Sequence, residues 1–251
     1  MKPTLLIVNS KDRLSGTSSN FNYQIKYYAK EEVQSYRIGK ITIPYSFYNL
    51  KRATAEFYYN NVFYTYIDVP AGNYTAQSLA TLIQNYLANG PSMVPITFTY
   101  SSTLNKFTCT VPAGNTFYFN FLDINPEFEY SLYRALGFPK TTPVSTTEYT
   151  SLNCANLNSS DNLYIFSQAL SFYTPAIFQT ERNNVIQVVP ILVNPFNFIF
   201  YENQQQIDFP TDFQTISTFD VKLIDDYGQV VDLNGLDWTF EIQLFSGRSD
   251  K

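Results

Sequence analysis

The side chains best suited to chemistry in this sequence are carboxylates that stand next to each other. Asp225-Asp226 precede Tyr227-Gly228, Glu31-Glu32 form a second pair, and Asp12 lies near the N-terminus. Two convergent carboxylates of unequal pKa can serve as general acid and general base. Adjacent acids followed closely by glycine are far more typical of a hydrophilic turn. We therefore predict a turn at each acidic pair.

Nucleophilic and metal chemistry lack the residues that they need. The sequence contains no histidine, which is the commonest general base and the commonest metal ligand. Cys109 and Cys154 are the only thiols, and neither has a cysteine or histidine close by in the sequence, which excludes a zinc site and a Cys–His pair. Ser167 and Ser171 have no histidine to activate them. The sequence thus predicts no catalytic residue, no cofactor and no metal, in a protein that is not an enzyme.

Composition and charge narrow the classes of protein further. The chain has 251 residues and a net charge of −5, and no basic run exceeds Lys51-Arg52, so nucleic-acid binding is disfavoured. Aromatic residues make up 18% of the chain, with 22 Phe and 21 Tyr. Phe and Tyr favour strands and interfaces, which predicts a large β core and aromatic surface left for contacts.

The apolar runs are too short to cross a membrane. The run Leu5, Leu6, Ile7, Val8 is shorter than the hydrophobic segment of a signal peptide, and nothing downstream approaches a membrane span. Two thiols suit a reducing compartment. We expect a protein without a membrane span that is made inside the cell.

The strand that organises the predicted fold is Arg37 to Pro44. Its apolar side chains change phase around Gly39-Lys40, which indicates a β-bulge, and Pro44 has no N–H to continue the ladder. Phe21 to Tyr28 alternates apolar and polar residues as a second strand. Asn60-Asn61 lies between two further strand patterns and predicts a two-residue hairpin turn.

A helical period appears only in the middle of the chain. Leu79, Leu82, Ile83, Tyr86 and Leu87 share one helix face, with Thr75 as N-cap and Gly90-Pro91 as the stop. The sequence next predicts a hairpin from Ile96 to Val111 and a strand from Thr116 to Phe121. It then predicts a helix from Pro126 to Leu136, capped by Asn125.

Later in the chain, five short apolar runs separated by turn signals predict strands. With the early strands they give the number expected of a jelly roll. The predicted fold class is all-β, a single jelly-roll β-sandwich with an inserted α+β subdomain. We expect residues 1–20 as an N-terminal arm, 21–54 and 151–247 as the jelly-roll body, 55–139 as the inserted α+β unit and 140–150 as a connection.

Several short motifs follow one another along the chain. They are Asn9 to Arg13, Gly16 to Phe21, Ile43 to Asn49, Pro70 to Tyr74, Leu136 to Phe138, and Asp237-Trp238. In this order they resemble motifs of the penton (minor capsid) proteins of virophages and polinton-like viruses. These viruses have double-stranded DNA genomes and a double jelly-roll major capsid protein.

The resemblance implies a single jelly roll that forms homopentamers at the icosahedral five-fold vertices of a virion. Its partners would be copies of itself and the surrounding major capsid proteins. The location implied is the capsid vertex, after synthesis in the host cytoplasm or a virus factory.

The N-terminal residues are the candidate partner contacts, namely Leu5, Leu6, Ile7, Val8, Asp12 and Arg13. The apolar run could add a strand to a neighbouring chain across the polar tether that follows it, with Asp12 and Arg13 at the contact. An edge strand that pairs within its own sheet has the same pattern, so both interpretations stay open.

Two other classes of function stay open at this point. A receptor- or carbohydrate-binding β-sandwich, such as a fibre head or lectin-like module, would also be aromatic and poor in charge, and would show an exposed aromatic platform. An enzyme on a β scaffold would need a concave site with convergent carboxylates of shifted pKa.

Overall fold

The structure, a computed structural model, describes residues 3–25, 33–91, 94–122, 132–142, 144–158, 160–170, 184–204, 208–214 and 217–246. The chain divides into two compact units, one formed by Met1–Phe47 and Ser160–Lys251 and the other by Tyr48–Ser159.

The strands and helices are numbered in chain order. They are β1 (Pro3–Asn9), β2 (Ser15–Thr17), β3 (Asn20–Gln24), β4 (Val33–Pro44), β5 (Ala53–Tyr59), β6 (Val62–Val69), α1 (Ala76–Ala88), β7 (Thr97–Ser101), β8 (Lys106–Thr110), β9 (Thr116–Leu122), α2 (Leu132–Leu136), β10 (Ser145–Thr146), β11 (Glu148–Thr150), β12 (Asn162–Phe166), β13 (Val185–Pro190), β14 (Phe198–Glu202), β15 (Phe209–Gln214), β16 (Thr218–Ile224) and β17 (Thr239–Ser246).

The first unit is a sandwich of two five-stranded antiparallel sheets. One sheet has the order β1-β17-β4-β14, with β15 also paired to β4, and the other has the order β13-β12-β16-β3-β2. Inward side chains of both sheets, such as Ile41 and Val221, are fully buried in one shared core. Burial alternates along strands such as β3 and β17, and the two sheets form a two-layer jelly roll, as the sequence predicts.

Strand β4 lies at the centre of its sheet and carries the predicted bulge. Ile41 pairs with Phe240 and Ile38 with Ile242, so that Gly39 and Lys40 together oppose one residue of β17. A Cβ at Gly39 would lie 3.0 Å from the Glu241 side chain, which explains a glycine at this close approach.

The second unit packs two smaller sheets and α1 around its own core. The sheet orders are β10-β9-β5-β6 and β11-β8-β7. Leu79, Ile83 and Leu87 on α1 are fully buried in that core. Thr75 caps the helix by accepting a hydrogen bond from the N–H of Ser78. The predicted helix face and N-cap are confirmed, and so is the Asn60-Asn61 turn, where both residues have positive φ.

Two boundaries differ from those expected from sequence. The second unit extends from 48 to 159, whereas the insertion was expected at 55–139. Part of the expected connection 140–150 forms β10 and β11, because its Thr and Ser residues pair with β9 and β8 and Tyr149 stacks on Phe138 at 5.7 Å. The predicted helix start at Asn125 and Pro126 lies outside the described residues, in which α2 spans Leu132–Leu136.

Candidate functional site: the N-terminal strand and the sheet edges

The N-terminal run belongs to the sheet of its own chain. Strand β1 pairs antiparallel with β17 over seven residues, from Pro3 opposite Phe245 to Asn9 opposite Thr239. Val8 is fully buried and Leu6 packs against the same core. The expectation of an N-terminal arm over 1–20 is therefore corrected, because the inward side chains of β1 complete the jelly-roll core instead of reaching another chain.

The other two residues of the run face solvent. Leu5 is 54% exposed and Ile7 is 59% exposed, and they lie opposite Gln243 and Glu241 on the outer face of the sheet. No described strand pairs with the outer edge of β1. Leu5 and Ile7 therefore stay candidates for a partner contact, through their side chains.

Arg13 is held within its own unit. Its Nη1 lies 3.2 Å from Asp237 Oδ1, and Ser10 Oγ donates to the same oxygen at 2.7 Å. The backbone N–H of Trp238 donates to Ser10 Oγ at 3.1 Å. Each of these bonds joins the segment after β1 to the segment before β17. The sequence pointed to Asp237 only as part of the Asp237-Trp238 motif. Because the Asp237 carboxylate accepts a hydrogen bond from the buried Ser10, it has a structural role.

Asp12 lies on the short 3-10 turn Ser10–Asp12 and is exposed. Burial raises the pKa of Tyr23, and the negative charge of Asp12 adds to that shift. Arg13, which was expected at a partner contact, forms an ion pair with Asp237 of its own chain. Since the Arg13 pair is about one-third exposed on each side, it contributes at most about 1 kcal/mol to stability.

The opposite edge of the same sheet is strand β14. Phe198 is 66% exposed and Phe200 is 62% exposed, because Ile199 between them points into the core. Phe196, just before the strand, is 82% exposed. Our sequence reasoning missed these rings as a surface, although the alternation in Phe198-Ile199-Phe200 was a signal for it.

The acidic pair forms a turn, as predicted. The N–H groups of Tyr227 and Gln229 both donate to Asp225 Oδ1 at 2.9 Å. Asp226 accepts from Ser160 Oγ at 2.9 Å and from Tyr164 Oη at 2.8 Å. Burial raises the pKa of Asp226, but hydrogen bonds from Tyr164, Ser160 and two backbone N–H groups outweigh it and hold the pKa below its ordinary value.

Elsewhere, the described residues offer few groups for catalysis or metal binding. They contain no group of three His, Cys, Asp or Glu side chains placed to hold a metal ion. Cys109 is buried, which raises the pKa of its thiol, and Cys154 is exposed. Both are free thiols. Neither described helix is long and apolar enough to cross a membrane.

The second unit presents an aromatic outer face on β9, β5 and β6. Tyr58 stacks on Tyr118 at 4.6 Å and meets the Phe63 ring edge-on at 5.9 Å. The Tyr58 hydroxyl donates to Glu56, which also accepts from Asn120 at 2.9 Å. Cross-strand pairs of this kind stabilise a sheet, and the exposed Phe63 leaves apolar area for a ligand.

Comparison with known proteins identifies the fold. No family model matches the sequence, and no curated protein matches it. The chain aligns with the crystal structure of the mavirus penton protein at a TM-score of 0.54 and 11% identity, over 98% of this chain and 100% of that chain. It also aligns with the 3.5 Å cryo-EM structure of the Sputnik virophage at a TM-score of 0.46 and 13% identity, over 100% of both chains. The first alignment shows that this chain has the fold of the mavirus penton protein.

Proposed function

We propose that this chain is a structural virion protein, a penton (minor capsid) subunit. It forms homopentamers at the five-fold vertices of an icosahedral capsid, and there it contacts double jelly-roll major capsid proteins. The observation that carries the proposal is the fold shared with the mavirus penton protein over nearly the whole of both chains.

The surface of the molecule supports this role. A capsid subunit needs contact area, and the jelly roll exposes Leu5, Ile7, Phe198 and Phe200 on the two edge strands of one sheet. Its acidic charge and short basic runs favour protein contacts over contacts with nucleic acid.

The direct test is the mass of the purified chain in solution. We expect a species of five times the 28.9 kDa of one chain, and rings with five-fold symmetry by negative-stain electron microscopy. The pentamer should also bind shells assembled from a double jelly-roll major capsid protein. A chain that stays monomeric up to its solubility limit, or a ring of another symmetry, would contradict the proposal.

A second candidate function is recognition of a receptor glycan by the second unit. The observation that favours it is the outer face of β9, β5 and β6, where the exposed Phe63 and Tyr66 lie beside the Glu56 carboxylate. A glycan array probed with the wild-type chain and with Phe63→Ser tests it. Binding that Phe63→Ser abolishes supports this function, and an array without signal for the wild-type chain removes it.

A further inference from the structure

Phe196 occupies a backbone conformation that favours glycine. Its φ is +70°, Pro195 precedes it, and the N–H of Asn197 donates to the carbonyl of Asn194 at 3.3 Å. This is the arrangement of a type II turn, whose third position normally holds Gly or Asn. A bulky side chain at positive φ strains the backbone.

The same residue also forms a bulge against β4. The N–H of Phe196 donates to the carbonyl of Tyr45 at 2.9 Å, and the N–H of Tyr45 donates to the carbonyl of Asn197 at 2.8 Å. Two residues thus oppose one, with the first at positive φ, the position that glycine normally fills in this kind of bulge. With 82% of Phe196 exposed, the ring contributes little burial to offset the strain within its own subunit.

We call the exposed rings of Phe196, just before β14, and of Phe198 and Phe200 on β14 the Phe patch. Phe198 lies opposite Pro44 and Phe200 opposite Thr42, on the outer face of the sheet. From their exposed fractions, the three rings offer roughly 400 Å² of apolar surface. A patch of that size on a single chain is commonly a contact site.

The opposite edge of that sheet carries a smaller apolar surface, Leu5 and Ile7, which we call the β1 patch. Among the strand side chains of the first unit whose exposure the structure describes, the four large apolar ones that are exposed all lie on β1 and β14. The second sheet of the sandwich has different edges, since β2 is a three-residue strand of Ser, Gly and Thr, and β13 ends at Pro190. Short or polar edges protect a sheet from association, whereas β1 and β14 each expose two large apolar side chains.

We propose that the Phe patch of one copy packs against the β1 patch of the next copy around a closed ring. The inference rests on the proposed function and names the surfaces that build its oligomer. A cyclic ring needs two different, complementary surfaces on each subunit, and this sheet provides one at each edge. The strip between them is polar and includes Thr42, Thr239 and Glu241.

The buried area makes a single contact weak, so that a pair forms only at high concentration and a closed ring is more stable. A stable interface buries about 800 Å² on each partner, and the Phe patch supplies roughly half of that. Polar residues around the patches supply the remainder, and closure of the ring adds a second contact for every subunit. Burial of the Phe196 ring in the assembled interface offsets the strain of its backbone. Within one chain the exposed ring offsets little of that strain.

The first test separates assembly from folding with Phe196→Gly. We expect the variant to raise Tm by roughly 2–4 °C, measured at a concentration where the wild-type chain is monomeric, because glycine relieves the positive-φ strain. We expect the concentration needed for assembly to rise at least about tenfold, as for an interfacial aromatic. Leu236→Ser, at a loop residue that is 50% exposed, is the control and should change neither quantity.

The second test mixes two chains that each lack one patch, Phe198→Ser/Phe200→Ser and Leu5→Ser/Ile7→Ser. Each alone should be monomeric, because neither can form the contact. Their mixture should form a 1:1 dimer by sedimentation equilibrium at the highest soluble concentration, because one intact patch of each kind remains. Homodimers of either variant alone, or a mixture that stays monomeric, would overturn the assignment.

Failure of this inference is distinguishable from failure of the proposed function. If the wild-type chain and all three patch variants form pentamers, the proposed function stands and the assignment of the two patches to the interface is refuted. A wild-type chain that does not assemble would refute the function itself.

Discussion

The Trp238 side chain links the segment before the last strand to the N-terminal segment. It is 2% exposed, its Nε1–H donates to the carbonyl of Ser18 at 2.8 Å, and its ring stacks on Phe240 at 5.1 Å. Trp238→Ala should lower the free energy of unfolding by roughly 3–5 kcal/mol, because it leaves a cavity and an unpaired carbonyl. Urea denaturation measures this.

The emission of Trp238 gives an independent check, since it is the only tryptophan. We expect a blue-shifted maximum in the folded chain and a red shift on unfolding. Emission of a fully solvated indole in the folded chain would contradict the buried position.

Asp226 should make stability depend on pH in the acid range. Its pKa in the folded chain is below the ordinary value of 3.8. Between these two values the unfolded chain binds more protons, so the stabilisation is complete above the ordinary value and is lost as pH falls through the folded pKa.

The corresponding variant is Asp226→Ala. At pH 7 it should cost about 1–3 kcal/mol, because the Ser160 and Tyr164 hydroxyls lose a charged acceptor. The difference from wild type should shrink at pH 3. Asp161→Asn, which keeps the N–H that donates to Asp226 Oδ2 at 2.6 Å, is the control. A cost of Asp226→Ala that is the same at both pH values would contradict the account.

At the scale of elements, β1 is an edge strand that contributes buried side chains to the jelly-roll core. Deletion of Met1–Asn20 removes its seven residue pairs with β17, the buried Val8 and the acceptor of the Trp238 indole. We therefore expect the deletion to lower Tm by more than 10 °C or to prevent folding, by thermal denaturation followed with far-UV circular dichroism. A truncated chain with an unchanged Tm would show that β1 is dispensable.

The Asn60-Asn61 hairpin offers a matched pair of substitutions. Asn60 has φ +49° and Asn61 has φ +61°, and the Asn60 side chain accepts from Thr116 N and donates to Asn115 at 2.9 Å each. Asn61→Gly should stabilise the chain by a few tenths to about 1 kcal/mol, because glycine is preferred there. Asn60→Ala should destabilise it by about 1–2 kcal/mol. The opposite order of Tm values would refute the turn assignment.

Local signals decided which elements the sequence could predict. Helix α1 was predictable from its period and its Thr75 cap, and the β4 bulge from the phase change at Gly39. Strand β15 was missed because Pro210 removes a ladder donor, so only tertiary pairing with β4 identifies it as a strand. Strands β10 and β11 were missed because their Ser and Thr residues carry no apolar alternation.

The candidate site was predictable only in part, for a similar reason. Leu5 to Val8 stood out as an apolar run, but pairing within the sheet or with a partner gives the same alternation, so only the β17 register decides between them. The exposure of the Phe patch depends on which edge of the sheet stays unpaired and on the φ of Phe196. Neither property can be predicted from the pattern of a single sequence.

At the scale of the whole molecule, the two units have separate cores. The buried residues of the jelly-roll core come from Val8 to Phe47 and Leu163 to Leu244, and those of the other core from Leu50 to Phe138. Each core therefore draws its buried residues from one unit. A unit with its own core can fold by itself.

The second unit, expressed alone as residues 48–159, should accordingly fold with a cooperative thermal transition. Phe119, which is 1% exposed and contacts the Phe57 ring at 4.9 Å and the Phe121 ring at 5.6 Å, tests whether the described core holds it together. In this fragment Phe119→Ala should lower the free energy of unfolding by about 3–5 kcal/mol, through the cavity that it leaves. Leu104→Ser, at a position that is 60% exposed, should change it by less than about 0.5 kcal/mol. If the wild-type fragment melts without cooperativity, or if both variants melt like it, the core assigned to residues 48–159 does not stabilise that unit alone.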